Sequence, residues 1–217
     1  MEPRLVYWVF PAIFLGSIVL AVLVTRSSHR KAVRNLRIFA DRLGLTLVEY
    51  PPVLGYFPRT PTVEGYRRGK PVRVYTFTTG SGKSRKTWTA IGVRSGEGSL
   101  SFSLQPQGIG TRIMEIFGVK EITFSDPAFD AAWFVRTNRE DFLRIALIPE
   151  LRARLMAARQ AGLREDFRCE HGEVRYAEVG GFAQESRMER FVIAADLCLD
   201  LAEVAAAASP RRNDASP

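Results

Sequence analysis

TVEGYRRGKPVRVYTFTT, residues 62 to 79, decides the fold class. The turn Arg68-Gly69-Lys70 divides it, and beyond the turn Val72, Val74 and Thr76 alternate with Arg73, Tyr75 and Phe77. A period of two on both sides of a short glycine turn predicts an antiparallel hairpin, with strands over 62 to 67 and 72 to 79. Working outward, a strand over 85 to 93 follows the turn at 80 to 84. Another over 100 to 104 follows Gly96-Glu97-Gly98. The expectation is a β-meander whose sequential neighbours are antiparallel. Its last strand is half-exposed, because Leu100, Phe102 and Leu104 alternate with Ser99, Ser101 and Ser103.

The distal half mixes periods. The pattern predicts a short helix over 110 to 117, a strand over 121 to 124, and a helical turn opened by Asp126 as cap with Pro127 at its first position. A strand over 132 to 136 comes next, then a helix capped by Asn138 running to about 148, and another from Pro149 to about 160 closed by Gly162. A hairpin about His171-Gly172 joins strands at 167 to 169 and 174 to 179. The final helix, roughly 184 to 207, carries Met188, Phe191, Val192, Ala195, Cys198, Leu199 and Ala202 at helical spacing and so should lie across one face of the sheet. Its other side presents Glu185, Glu189, Asp196, Asp200 and Glu203, which reads as a solvated face or as a docking surface for a basic partner. The tail at 209 to 217 reads as disordered.

Toward the N-terminus a strand over 45 to 50 ends at Pro51-Pro52, and an irregular wrap covers 52 to 61. Ser28 is placed to cap a helix over about 29 to 43, stopped by Gly44, that continues an apolar segment across a membrane interface. That segment is LVYWVFPAIFLGSIVLAVLV, residues 5 to 24, without a charge. As a helix it reaches about 30 Å, the hydrocarbon thickness of a bilayer. A cleavable signal would want a shorter core and a small-x-small site, and a buried core helix would show a polar stripe. Neither fits a segment whose polar groups are Ser17 and the phenol of Tyr7. Pro11 is placed to kink it, and Tyr7 and Trp8 suit the headgroup level. Arg26, Arg30, Lys31, Arg34 and Arg37 follow it directly, against Arg4 and Glu2 before it. Positive flanks stay cytoplasmic. The expectation is an inner-membrane single-pass chain with its N-terminus out and its domain in the cytoplasm. It divides as a tail (1 to 4), a transmembrane helix (5 to 25), a basic juxtamembrane helix (26 to 44), an α+β domain (45 to 208) and the terminal tail.

The formal charge of +8 is unevenly spread. Residues 26 to 94 hold 15 Lys/Arg against 3 Asp/Glu, a balance of +12, and residues 95 to 217 hold 15 against 19, a balance of −4. The five cations from Arg26 to Arg37 are therefore candidate contacts for anionic lipid headgroups. Cys169 and Cys198 suit a reducing compartment as small buried apolar groups; an extracytoplasmic domain would permit their pairing.

Chemical motifs are sparse. Gly80-Ser81-Gly82-Lys83-Ser84 ends like a phosphate-binding loop, but the earlier glycine such a loop needs is Phe77, and a strand rather than a helix follows. Cys169-Glu170-His171 lacks a second ligand pair, and Asp126 with Asp130 is explained by helix capping. Basic and aromatic residues alternate between 66 and 88, yet successive meander turns sit at opposite ends of a sheet, which argues against one nucleic-acid patch. No cofactor or metal is called for, and the balance leans away from an enzyme.

Around Phe129-Asp130-Ala-Ala-Trp133-Phe134-Val135, Leu143, Leu147, Pro149-Glu150-Leu151 and Leu155, the chain resembles a segment of uncharacterised bacterial membrane-anchored proteins with a domain of unknown function. The resemblance implies a bacterial single-pass protein and transfers no activity. The functional expectation is a membrane-anchored, non-catalytic binding or scaffold protein that meets the bilayer and a protein partner. The second reading is a tethered small-ligand or lipid-binding domain with its pocket between the sheet and the last helix.

Overall fold

The computed structural model describes residues 4–52, 59–96, 98–108 and 122–208, with backbone alone for 4–12 and 18. Expected elements at 110 to 117, the wrap at 53 to 58 and the terminal tail lie outside the described residues.

One helix, α1 (Arg4–Leu43), runs unbroken from the apolar segment into the domain. The Ser28 cap is therefore a correction: residues 21 to 33 contain neither glycine nor proline, so nothing lifts the backbone out of helical geometry there. Hydroxyls within the apolar part fold back onto the helix, Ser17 Oγ donating to the Phe14 carbonyl at 2.7 Å and Thr25 Oγ1 to that of Ala21 at 2.8 Å. Ile13, Phe14, Leu15, Val19, Leu20 and Leu23 are each more than half exposed. By length and composition the N-terminal part of α1 is long and apolar enough to cross a membrane, whereas its last turns bury Leu36, Phe39, Ala40 and Leu43 in the domain core.

Among the described residues eight antiparallel strands form one sheet: β1 (Thr46–Val48), β2 (Thr62–Arg67), β3 (Lys70–Thr79), β4 (Lys86–Arg94), β5 (Phe102–Pro106), β6 (Trp133–Thr137), β7 (Phe167–Glu170) and β8 (Glu173–Val179). Two hairpins use the same device, a residue followed by glycine with both backbones left-handed: Arg68 (φ 51°) with Gly69 (φ 72°), and His171 (φ 51°) with Gly172 (φ 72°). The spatial order is β1-β2-β3-β4-β8-β7-β5-β6. The expected meander is thus corrected after β4. The β7–β8 hairpin inserts between β4 and β5, with Ile91 opposite Tyr176 and Val93 opposite Val174, so the chain crosses over before β5 pairs with β6 and β7.

The helices are α2 (Pro127–Ala132), α3 (Glu140–Ala146), α4 (Pro149–Gln160) and α5 (Glu185–Ala207). Asp126 caps α2 as expected, accepting from the Phe129 N–H at 3.2 Å. Asn138 does not cap α3. Its side chain instead ties the crossover, accepting from Ser101 N at 2.9 Å and donating to the Ser99 carbonyl at 2.6 Å, and Arg139 takes the cap position. Ile122 to Phe124 forms no strand, although Ile122 N donates to the Val135 carbonyl at 3.0 Å.

The long α5 lies on one face of the sheet between α1 and α4. Tyr176, Phe167, Phe182 and Phe191 make the centre, with the Phe191 ring 5.7 Å from Tyr176 and 5.1 Å from Phe182. Replacing Phe191, which is 0% exposed, by alanine should cost about 3 to 5 kcal/mol. The thermal midpoint of the full chain in detergent micelles should then fall by on the order of 10 °C.

Candidate functional site

The geometry fixes which end of the domain faces the anchor. Near its N-terminal entry to the domain, α1 donates from buried Asn35 Nδ2 to the Phe182 carbonyl at 2.9 Å; at its C-terminal end the Leu43 carbonyl accepts from Arg67 at 3.2 Å. Phe182 follows β8, whose extension pairs Gly180 N to the Thr87 carbonyl at 2.7 Å, beside the β3–β4 turn. Arg67 precedes the β2–β3 turn at the opposite end. The β3–β4 turn therefore projects toward the anchor, and the β2–β3 turn away from it.

The five candidate lipid contacts, Arg26, Arg30, Lys31, Arg34 and Arg37, are all exposed. At 100° per residue Arg26, Arg30, Arg34 and Arg37 share an arc of about 80°, opposite the arc that buries Leu36, Phe39 and Leu43. Only the lowest, Arg37, has an ion-pair partner among the described residues, Glu49 at 2.7 Å. Lys83, Arg85 and Lys86 of the β3–β4 turn are exposed as well and point to the same end. The sequence missed this convergence, since the two groups stand some fifty residues apart.

That turn is the one whose sequence resembles a phosphate loop. It holds a short 3-10 segment, Gly82–Ser84, between two strands. Two of its N–H groups are used internally: Ser84 N donates to Ser81 O at 3.1 Å and Arg85 N to Gly82 O at 3.3 Å. A strand follows it, so the helix N-terminus on which a phosphate loop depends is not there.

The acidic residues of α5 meet the chain's own arginines. Glu189 pairs with Arg42 at 2.7 Å, Asp196 with Arg67 at 3.2 Å, and Asp200 with Arg68 at 2.7 Å and also with Arg154; Glu203 lies 3.9 Å from Arg68, and Glu185 is exposed. Much of the charge division along the sequence is thereby neutralised within the fold. Where a pocket is expected between the sheet and α5, Ile91, Val174, Tyr176, Met188, Phe191 and Leu199, each at most 2% exposed, fill the middle, and a cleft of about 280 Å³ opens at the edge beside Glu178, Val179 and Arg190.

One buried ionic cluster fastens the loop that α1 grips. Glu178 accepts from Tyr176 at 2.9 Å, from Arg190 at 2.8 and 2.7 Å, and from Arg187 at 3.3 Å, while Arg187 also donates to the Val179 carbonyl at 2.8 Å and to that of Gly181. A Cβ on Gly180 (φ 107°) would stand 2.9 Å from the Arg187 guanidinium. Burial alone raises the Glu178 carboxyl, but the bonds from Arg190, Tyr176 and Arg187 outweigh it and hold the group below its ordinary value. Cys169 and Cys198 are both buried and unpaired, and burial pushes the Cys169 thiol up to about 11, which leaves it protonated and a poor nucleophile. Asp130 accepts from Phe124 N at 3.0 Å, so both members of the Asp126 and Asp130 pair hold backbone in place. No metal-ligand cluster occurs among the described residues.

Among solved structures, this chain is similar to the crystal structure of the mycobacterial trehalose monomycolate transport factor A, TtfA. Identity is 14% and the TM-score 0.49, over 83% of this chain and 97% of that chain. No family model and no curated protein matches the chain.

Because the Glu178 carboxyl is lowered in the fold, its stabilisation is complete above the ordinary glutamate value of 4.5 and is lost as pH falls through the lowered one. Glu178→Gln should cost about 3 kcal/mol at neutral pH, since it leaves two guanidinium groups without their anion. Thermal melts across a pH series should show that deficit shrinking below pH 4.5.

Proposed function

We propose that the chain is a single-pass membrane protein whose domain acts by binding, as an accessory or scaffold subunit, held against the cytoplasmic leaflet by its basic end. One observation carries this reading. The anchor and the domain share one helix, and the exposed cations of that helix and of the β3–β4 turn project from the same end. Each Lys or Arg held near an anionic leaflet contributes about 1 kcal/mol, so the seven that remain when Arg37 is left to Glu49 give a firm but salt-sensitive contact. The residues that usually carry catalysis are committed to structure: the thiols are buried, and the paired aspartates and Glu178 hold backbone and arginines.

Orientation is tested by impermeant labelling. Both native thiols are buried, so a single cysteine at exposed Ser81 is a clean reporter. In intact cells Ser81→Cys should react with an impermeant maleimide only after the inner membrane is opened; labelling from outside would reverse the topology. For the contact itself, the chain lacking residues 1 to 25 should float with anionic vesicles at low salt and release as salt rises. Equal flotation with neutral vesicles would refute electrostatic docking.

A further inference from the structure

The sheet face turned away from α5 carries a feature that no single strand shows. Register places Arg73 opposite Gly92, Gly92 opposite Arg175, Arg175 opposite Arg168, Arg168 opposite Ser103, and Ser103 opposite Arg136. Residues directly opposite one another share a face, so four arginines and a serine form one row across the strands. Three adjoining clefts follow it, of about 540, 320 and 230 Å³, sharing Arg94 and Glu173, then Arg168 and Glu170.

The smallest cleft is the most completely built. Ser103 is 9% exposed, and its Oγ has no hydrogen-bond partner among the described residues; the buried Nε of Arg136, directly opposite, has none either. Both are donors. On the other side of Ser103 stands Arg168, whose Nε is held by Asp166 and whose outer N–H groups have no hydrogen-bond partner among the described residues. The Cα atoms of Arg168 and Arg136 are about 10 Å apart across Ser103, a span that two guanidinium groups close around one small anion. Glu170 also lines the cleft and opposes an anion there.

We propose that Ser103, Arg136 and Arg168 bind a tetrahedral oxyanion: phosphate, or the phosphate end of a soluble ester. An oxyanion accepts from the unpartnered Arg136 N–H and from the Ser103 hydroxyl together, and the flanking guanidinium groups supply its countercharge. The row lies six residues along β3 from Thr79, about 20 Å from the anchor-facing end, so a headgroup still in the bilayer does not reach it. The site is separate from the membrane contact proposed above.

Calorimetric titration of the full chain in nonionic detergent, with inorganic phosphate in one arm and glycerol 3-phosphate in the other, tests this. Saturable binding is expected, and the tighter arm identifies the free ion or the ester as the source. Arg136→Gln should weaken it at least tenfold. Ser103→Ala, which removes an unpartnered buried hydroxyl, should raise the ligand-free melting temperature yet abolish most of the rise that phosphate produces. Glu170→Gln should tighten binding severalfold, an effect no purely structural role accounts for. Absence of binding in both arms, or the same affinity in wild type, Arg136→Gln and Glu170→Gln, would overturn the proposal.

Discussion

The last two turns of α1 are the constraint on which the rest depends. A helix that only crossed a bilayer would leave the domain on a tether. Here Leu36, Phe39, Ala40 and Leu43 are at most 4% exposed, and burying side chains of this size contributes about 1.5 to 3 kcal/mol for each large one. Asn35 adds direction to that apolar grip. Its amide is 6% exposed and is satisfied by the Phe182 carbonyl, so rotating or sliding the helix would strand both polar groups. Phe39 packs edge-on against the Phe182 ring at 5.4 Å, and the Glu178 cluster holds the strand end from which Phe182 follows. The pose of the domain on its N-terminal helix is thus set by core packing.

Given that pose, the charge distribution becomes intelligible. The basic β2–β3 turn points away from the anchor and closes on α5 through Arg67 and Arg68, satisfying an acidic stripe that would otherwise repel itself. The cations of α1 and of the β3–β4 turn stay exposed at the anchor-facing end, while Arg94 and Arg168 are exposed along the clefts of the sheet face turned away from α5. A sequence-wide excess of positive charge resolves into arginines closed on the α5 carboxylates, a basic anchor-facing end and the arginine row across the far sheet face.

Much of the fold was legible in the sequence because its signals are local. The hairpins at Arg68-Gly69 and His171-Gly172, the cap at Asp126, the start of α4 at Pro149 and the extent of α5 all follow from residues within one or two turns of each other. The strand order was not legible. Whether β4 pairs with β5 or with β8 depends on which apolar strand offers the better partner for Ile91 and Val93, and the answer lies eighty residues on. The arginine row was hidden for the same reason: Arg73, Arg136, Arg168 and Arg175 become neighbours only through that crossover. Asn138 misled because an asparagine before a helix serves equally well to tie a loop, and the carbonyl of Ser99 and N–H of Ser101 were closer to hand.

The central claim is that anchor and domain form one rigid unit joined by an unbroken helix. Pulsed electron–electron distance measurement between nitroxides at Ser27, on α1 above the domain, and Ser81, at the tip of the β3–β4 turn, tests it most directly in the full chain reconstituted in bilayers. The account predicts a single narrow distance distribution that persists in neutral lipid and at high salt, because core packing and not headgroup attraction sets it. A broad or multimodal distribution, or one that narrows only on anionic membranes, would contradict it.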